Sequence, residues 1–248
     1  MDAENYRQIA AIEKNNWWYK SRRDMLGKII ASFNKRFHSA LDAGCGVGSN
    51  LEILSKYSDS VYGLDNSPES IAFCSKKSYK KLFNASIVDS SLGMTFDLII
   101  CMDVLEHLQD DSGAIRDLGA HLVPGGILII SVPAHQYLWN DNDLFSDHKR
   151  RYELSDIKGL VASNNLEIIK LSYWNRLLLI PSLVYYNLPR FGKKRQIQNN
   201  LNLIPGFLND FLYLAMKIED ALPLKPGLLN GVSIICVCRK SQVQGGFK

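Results

Sequence analysis

Three histidines, His107, His135 and His148, are the side chains of this chain best suited to accept a proton near neutral pH. Two of them fall in the polar and aromatic run 134–152, together with Trp139, Asp141, Asp143, Arg150, Arg151 and Tyr152. Groups of this kind can bind and orient an acceptor, and no histidine is singled out as the base. Upstream, glycines at 44, 46 and 48 follow an apolar run that ends in Asp42, and an amphipathic segment begins at once with Asn50, Leu51, Ile53 and Leu54. That pattern is strand, tight turn, helix. Such a turn lets a ligand lie against the backbone and meet the N–H groups of the following helix. Ser49 stands where the dinucleotide fingerprint has its third glycine, so the spacing departs from that pattern.

The elements that must position these groups read as alternating strands and helices. Val61 to Leu64 form a second strand closed by Asp65, and Ser67-Pro68 open a helix in the favoured order. An acid at that strand tip, about 20 residues beyond the glycine turn, is placed for ribose hydroxyls. Leu82 to Asp89 read as a third strand, Phe96 to Cys101 as a central buried strand, and Ile127 to Pro133, after Pro124-Gly125-Gly126, as a fifth. Asp42, Asp65 and Asp89 thus gather at one sheet edge, where ligands of such sheets bind.

Residues 41–50, 61–67, 87–90, 96–108 and 122–133 together resemble the ordered motif series of the Rossmann-like S-adenosylmethionine-dependent methyltransferases. The resemblance implies an α/β fold with a seven-stranded, mostly parallel sheet whose last strand is antiparallel, and helices on both faces. It implies the methionine part of the cofactor over Asp42, Gly44, Cys45 and Gly46, and the ribose on Asp65 with Asn66 beside the adenine. The adenine amino group would lie near Asp89 and Ser90, and Met102 and Asp103 beneath the sulfonium. The run 134–152 resembles an acceptor loop of small-molecule and sugar-pathway members, with Trp139, Asp141, His148, Arg151 and Tyr152 as its substrate-side residues.

Asp103, Glu106 and His107 would share a face if helical, and they resemble the E-x-x-E-H of quinone-pathway O-methyltransferases. A divalent metal is nevertheless not expected, because Glu106 and His107 also fit a strand-to-helix junction. The reaction expected is methyl transfer to oxygen of a small-molecule, sugar or lipid-linked acceptor. The alternative is a non-catalytic binder of the cofactor that acts through a partner.

Organisation and composition fit one domain of 248 residues. Residues 1–34 form an N-terminal helical flap carrying Trp17-Trp18-Tyr19, 35–174 the cofactor-binding core, 175–231 a helical insertion, and 232–240 the final strand. The insertion joins apolar segments to Arg190, Lys193, Lys194 and Arg195. Its expected use is a cap over the substrate face, with peripheral membrane contact, homodimerisation and plain packing all left open. A net charge of +4 is too mild to imply nucleic acid, and no basic concentration adjoins the cofactor edge. Five scattered cysteines without C-x-x-C pairs demand neither zinc nor disulfides, which suits a reducing cytoplasm.

Overall fold

The structure is a computed structural model that describes residues 3–89, 91–187, 205–221 and 230–242. Ser90 and the basic residues 190–195 lie outside the described residues. Seven strands form one sheet: β1 (Phe37–Ala43), β2 (Ser58–Asp65), β3 (Lys81–Asn84), β4 (Phe96–Met102), β5 (Leu122–Pro133), β6 (Leu166–Trp174) and β7 (Ser233–Lys240). Their spatial order is β3-β2-β1-β4-β5-β7-β6. The strands from β3 to β5 run parallel, and β7 is antiparallel to both β5 and β6. The expected mixed seven-stranded sheet with an antiparallel last strand is therefore present.

Alternation along the central strands feeds two apolar layers, because successive side chains leave opposite faces. Leu98, Ile100, Met102, Ile127 and Ile129 pack on one face with Leu26 and Ile30 of α2 (Trp17–Ala31). On the other, Ile99, Cys101, Leu128 and Ile130 pack with Ile115 of α5 (Asp111–Ala120) and Ile157 of α7 (Leu154–Ala162). All five cysteines are buried and free.

Two expected elements differ in extent. The third strand ends at Asn84, and Asp89 follows in a turn with φ 58° instead of closing a strand. The fifth strand starts earlier, at Leu122, and absorbs Pro124-Gly125-Gly126 as an irregularity between the Phe96↔Leu122 and Leu98↔Ile127 pairs. Gly125 takes φ 76°, so the turn residues bend the strand without ending it.

The N-terminal segment is two helices, α1 (Ala3–Asn15) and α2, broken where Asn16 caps Trp18 N–H with its side chain. Of the insertion, α8 (Leu179–Asn187) and α9 (Gly206–Ala221) are described. The second of these docks on α2. Tyr213 Oη donates to Asp24, Lys28 pairs with Asp220, and Asn209 accepts from Trp17 N–H. Buried Glu219 accepts from the backbone N–H groups of Arg176 and Leu177, which ties α9 to the end of β6. The N-terminal helix α2 and the described helix α9 are thus packed together.

Candidate active site

The glycine turn between β1 and α3 (Leu51–Tyr57) is built on three positive-φ glycines. A Cβ on Gly44 would lie 2.4 Å from Val104 Cγ2, so close packing requires glycine there as well as φ 78°. At Gly46 a Cβ would meet nothing within 4 Å: the turn is open on that side. Asp65 fixes it from below, accepting from Gly46 N–H at 2.8 Å and Ser67 N–H at 2.9 Å.

Asp42 has a different place. It is buried, and its carboxylate accepts from Asn50 Nδ2 and Tyr79 Oη, each at 3.2 Å, so it braces the turn from within. Burial pushes its carboxyl up to about 6, against these hydrogen bonds, which favour the ionised form. The raised value means that folding favours the protonated group. Its contribution is complete below the unfolded carboxyl's pKa near 3.9 and is lost as pH rises through about 6. Asp42→Asn, which cannot ionise, is expected to remove a decline on the order of 3 kcal/mol between pH 4 and 8. Denaturant melts at the two pH values check this; a decline parallel to the wild type would place its source elsewhere.

A cavity of about 770 Å³ runs from Gly44, Cys45 and Gly46 across Met102 and Asp103 to α8 and α9, within the usual range for small-molecule sites. Trp17, Trp18 and Tyr19 line it from the N-terminal cover. Arg22, 7% exposed, pairs with Asp103, which also accepts from Ser131 Oγ at 2.7 Å. The aromatic and acidic walls suit a cationic ligand.

The helical register that would put Asp103, Glu106 and His107 on one face is not formed, and Glu106 and His107 sit in the junction after β4. Asp103 takes φ 56°, and Leu105–His107 is a 3-10 turn. Glu106 instead joins His107 and His148, donor atoms within 4.8 Å of one another, as the group among the described residues that could hold a metal. Both Glu106 carboxylate oxygens are buried and without a hydrogen-bond partner. Burial, reinforced by Asp103, holds this carboxyl well above the usual range, and burial with His148 nearby lowers the His107 imidazole.

Of the three candidate histidines, His107 and His148 line the cavity. His148 Nδ1 lies 2.8 Å from Asp143 Oδ1, and its Nε2 is 4.0 Å from Glu106 Oε1. Buried Asp143 accepts from Arg151 Nε and Nη2 and from Asn140 N–H. Although burial alone would raise its carboxyl, the bonds from His148 and Arg151 bring it below the ordinary value. His135 sits elsewhere: buried, stacked between Tyr137 and Tyr173 with centroids 4.8 Å away, and bonded to Glu153.

The other expected substrate residues divide. Arg151 lines the cavity, whereas Trp139 and Asp141 do not. Tyr152 faces α5, where its hydroxyl donates to Asp111. Asn66 is exposed beside Asp65, and exposed Asp89 has a carboxylate 3.7 Å from Arg116. Glu13 was absent from the sequence-derived site, Asp143 was named there only among the polar groups of the loop, and the apolar walls from Leu178, Pro181, Leu208 and Leu212 belong to the insertion expected as a cap. Asp143 had a signal in its spacing five residues before His148, but Asp141 in the same acidic run obscured it.

A mostly parallel open sheet with a glycine turn, an acid at the tip of β2 and a cavity at the carboxyl ends of its strands is an arrangement suited to a nucleotide cofactor. Residues 17–171 match the family described as methyltransferase domain; the chain belongs to that family and is an S-adenosylmethionine-dependent methyltransferase. It is 26% identical to ajmaline N-methyltransferase of Rauvolfia serpentina over 84% of this chain and 77% of that protein. It is 33% identical to a ubiquinone biosynthesis O-methyltransferase of Methylocella silvestris, over 36% of this chain and 37% of that one. Among solved structures it is similar to the N-methyltransferase NodS of Bradyrhizobium japonicum in complex with S-adenosyl-L-homocysteine, with a TM-score of 0.56, 14% identity and coverage of 91% and 89%. A methyltransferase from Clostridium acetobutylicum gives 0.59 at 15% identity, covering 90% and 92%.

Proposed function

We propose that the chain methylates an oxygen of a small molecule with an apolar or lipid-linked portion, using His148 as general base. The observation that carries this reading is the Asp143–His148 pair at the cavity wall, with Nδ1 engaged and Nε2 turned toward the unpartnered Glu106. The open side of Gly46, the carboxylate of Asp65 and the acidic and aromatic floor fit the cofactor. In this reading the cofactor lies along Gly44, Cys45 and Gly46, with its ribose on Asp65, and Asn66 and Asp89 toward the adenine. S-adenosylmethionine supplies a methyl group made electrophilic by positive sulfur.

The residues of the chain then orient and deprotonate the acceptor. Trp17, Trp18 and Leu138 flank it and exclude water, and the apolar walls from α8 and α9 take its hydrophobic part. As the acceptor oxygen takes the methyl group, the carbon–sulfur bond breaks with its electron pair left on sulfur, S-adenosylhomocysteine departs, and the acceptor's proton passes to His148 Nε2. Asp143 steadies the imidazolium through Nδ1. Asp42, His135 and Tyr152 support the turn and the loop, and are given no part in proton transfer.

A second reading rests on the same cluster: Glu106, His107 and His148 could ligate a divalent ion that binds the acceptor oxygen. Transfer of labelled methyl from the cofactor to hydroxylated amphiphiles, run before and after dialysis against a chelator, tests both. Full labelling of an ether product after chelation is the expected result. Loss of labelling restored by added metal would replace the base with the ion, and label confined to amine acceptors would overturn oxygen as the target.

A further inference from the structure

An amphipathic helix covers a core with one face and meets water with the other, whereas a helix apolar on both faces calls for a second cover. The helix α9 is of the second kind. Met216 is buried and Leu212 packs toward the core, yet Phe207, Phe211, Leu214 and Ile218 form a stripe on the opposite face. The stripe residues are 50 to 79% exposed. On α8, Ile180 and Val184 are likewise exposed, one turn apart. Among the described residues, every exposed large hydrophobic side chain except Ile169 lies within 137–145 or 177–218. These are the two segments that also supply Leu138, Asn142, Leu178 and Leu208 to the cavity wall. Leu208 lines the cavity while remaining 37% exposed, so the apolar wall continues to the outside.

We propose that this rim, centred on the outward faces of α8 and α9, seats on an anionic lipid surface and draws its acceptor from the apolar phase there. The charge pattern selects that occupant. The chain joining the two helices carries Arg190, Lys193, Lys194 and Arg195 and no acidic residue between 188 and 204. Aromatic and aliphatic side chains flanked in sequence by cations are the composition of an interfacial segment. No described helix is long and apolar enough to cross a membrane, so the contact is with the surface. The inference extends the lipid-linked reading of the acceptor, but its test needs neither acceptor nor turnover, so either can fail alone.

The test is flotation of the full chain with vesicles of phosphatidylcholine, with and without phosphatidylglycerol. The wild type is expected to float with the anionic vesicles at low salt and to be released as ionic strength rises. F207S/F211S is expected to partition at least about tenfold less, since two exposed aromatic side chains leave the interface. Its affinity for S-adenosylhomocysteine should be unchanged, because neither residue lines the cavity. Should that variant lose the affinity through misfolding, I180S/V184S makes the same comparison on α8. Wild-type protein left behind by anionic vesicles at low salt overturns the proposal. So does a concentration-dependent dimer, seen by light scattering, that F207S/F211S abolishes, since the face would then belong to a second copy.

Discussion

His148→Ala is expected to lower kcat on the labelled hydroxyl acceptor by roughly 10²- to 10⁴-fold, the usual worth of a positioned general base. The affinity for S-adenosylhomocysteine should stay near that of the wild type. The split follows from geometry: His148 is bonded to Asp143 and faces Glu106, whereas the glycine turn is held by Asp65. Two further readouts separate a base from a residue that merely shapes the loop. Added imidazole should restore part of the rate, and the acceptor KM should stay near that of the wild type. Asp143→Asn is expected to fall between the two, since it keeps the loop's volume but removes the charge that steadies the imidazolium. A variant with full kcat, or one impaired only through acceptor KM, would take the proton-accepting role from His148.

Asp65→Ala is expected to weaken S-adenosylhomocysteine binding on the order of 100-fold or more. A carboxylate already oriented by two backbone N–H groups can still accept from two ribose hydroxyls. Hydrogen bonds to a charged group contribute about 1.5 to 3 kcal/mol each. Removing Asp65 also frees Gly46 N–H, so the turn loses its brace. Asp65→Asn tests which loss matters, because it retains an acceptor for the turn but gives up the charge. Titration calorimetry of both variants, with a thermal melt as control, reads the two effects apart. Equal affinity in all three proteins would remove Asp65 from the cofactor site.

The succession of strands along the chain and the acid at the tip of β2 were legible because buried parallel strands and glycine turns leave local patterns of composition. Asp65 falls where that pattern puts it. The register after β4 was not legible. A helix there would have put Asp103, Glu106 and His107 on one face, but a positive φ at Asp103 breaks that register. The fold brings His148 to the cluster from 41 residues away. Positive-φ aspartates carry no periodic signal, since the side chain that tolerates this conformation is common in ordinary turns. His135 misled for the related reason that a histidine stacked between tyrosines has the same spacing as one lining a site. The flap and the insertion were each visible as apolar segments. Their docking through Asn209, Tyr213 and Asp220 was not, because those partners are about 190 residues apart.

The position of β7 between β5 and β6 has a consequence for the order in which the chain becomes itself during synthesis. When the ribosome has released Trp174, the parallel part of the sheet has all of its strands, yet β6 has no neighbour to pair with. It must wait for Ser233–Lys240, nearly 60 residues later, which enter between two strands already made. Closure at that late, long-range step makes β6 and the open edge of β5 the exposed strand edges of the nascent protein. Nascent chains held short of residue 233 are therefore the species in which chaperone contact and aggregation should concentrate.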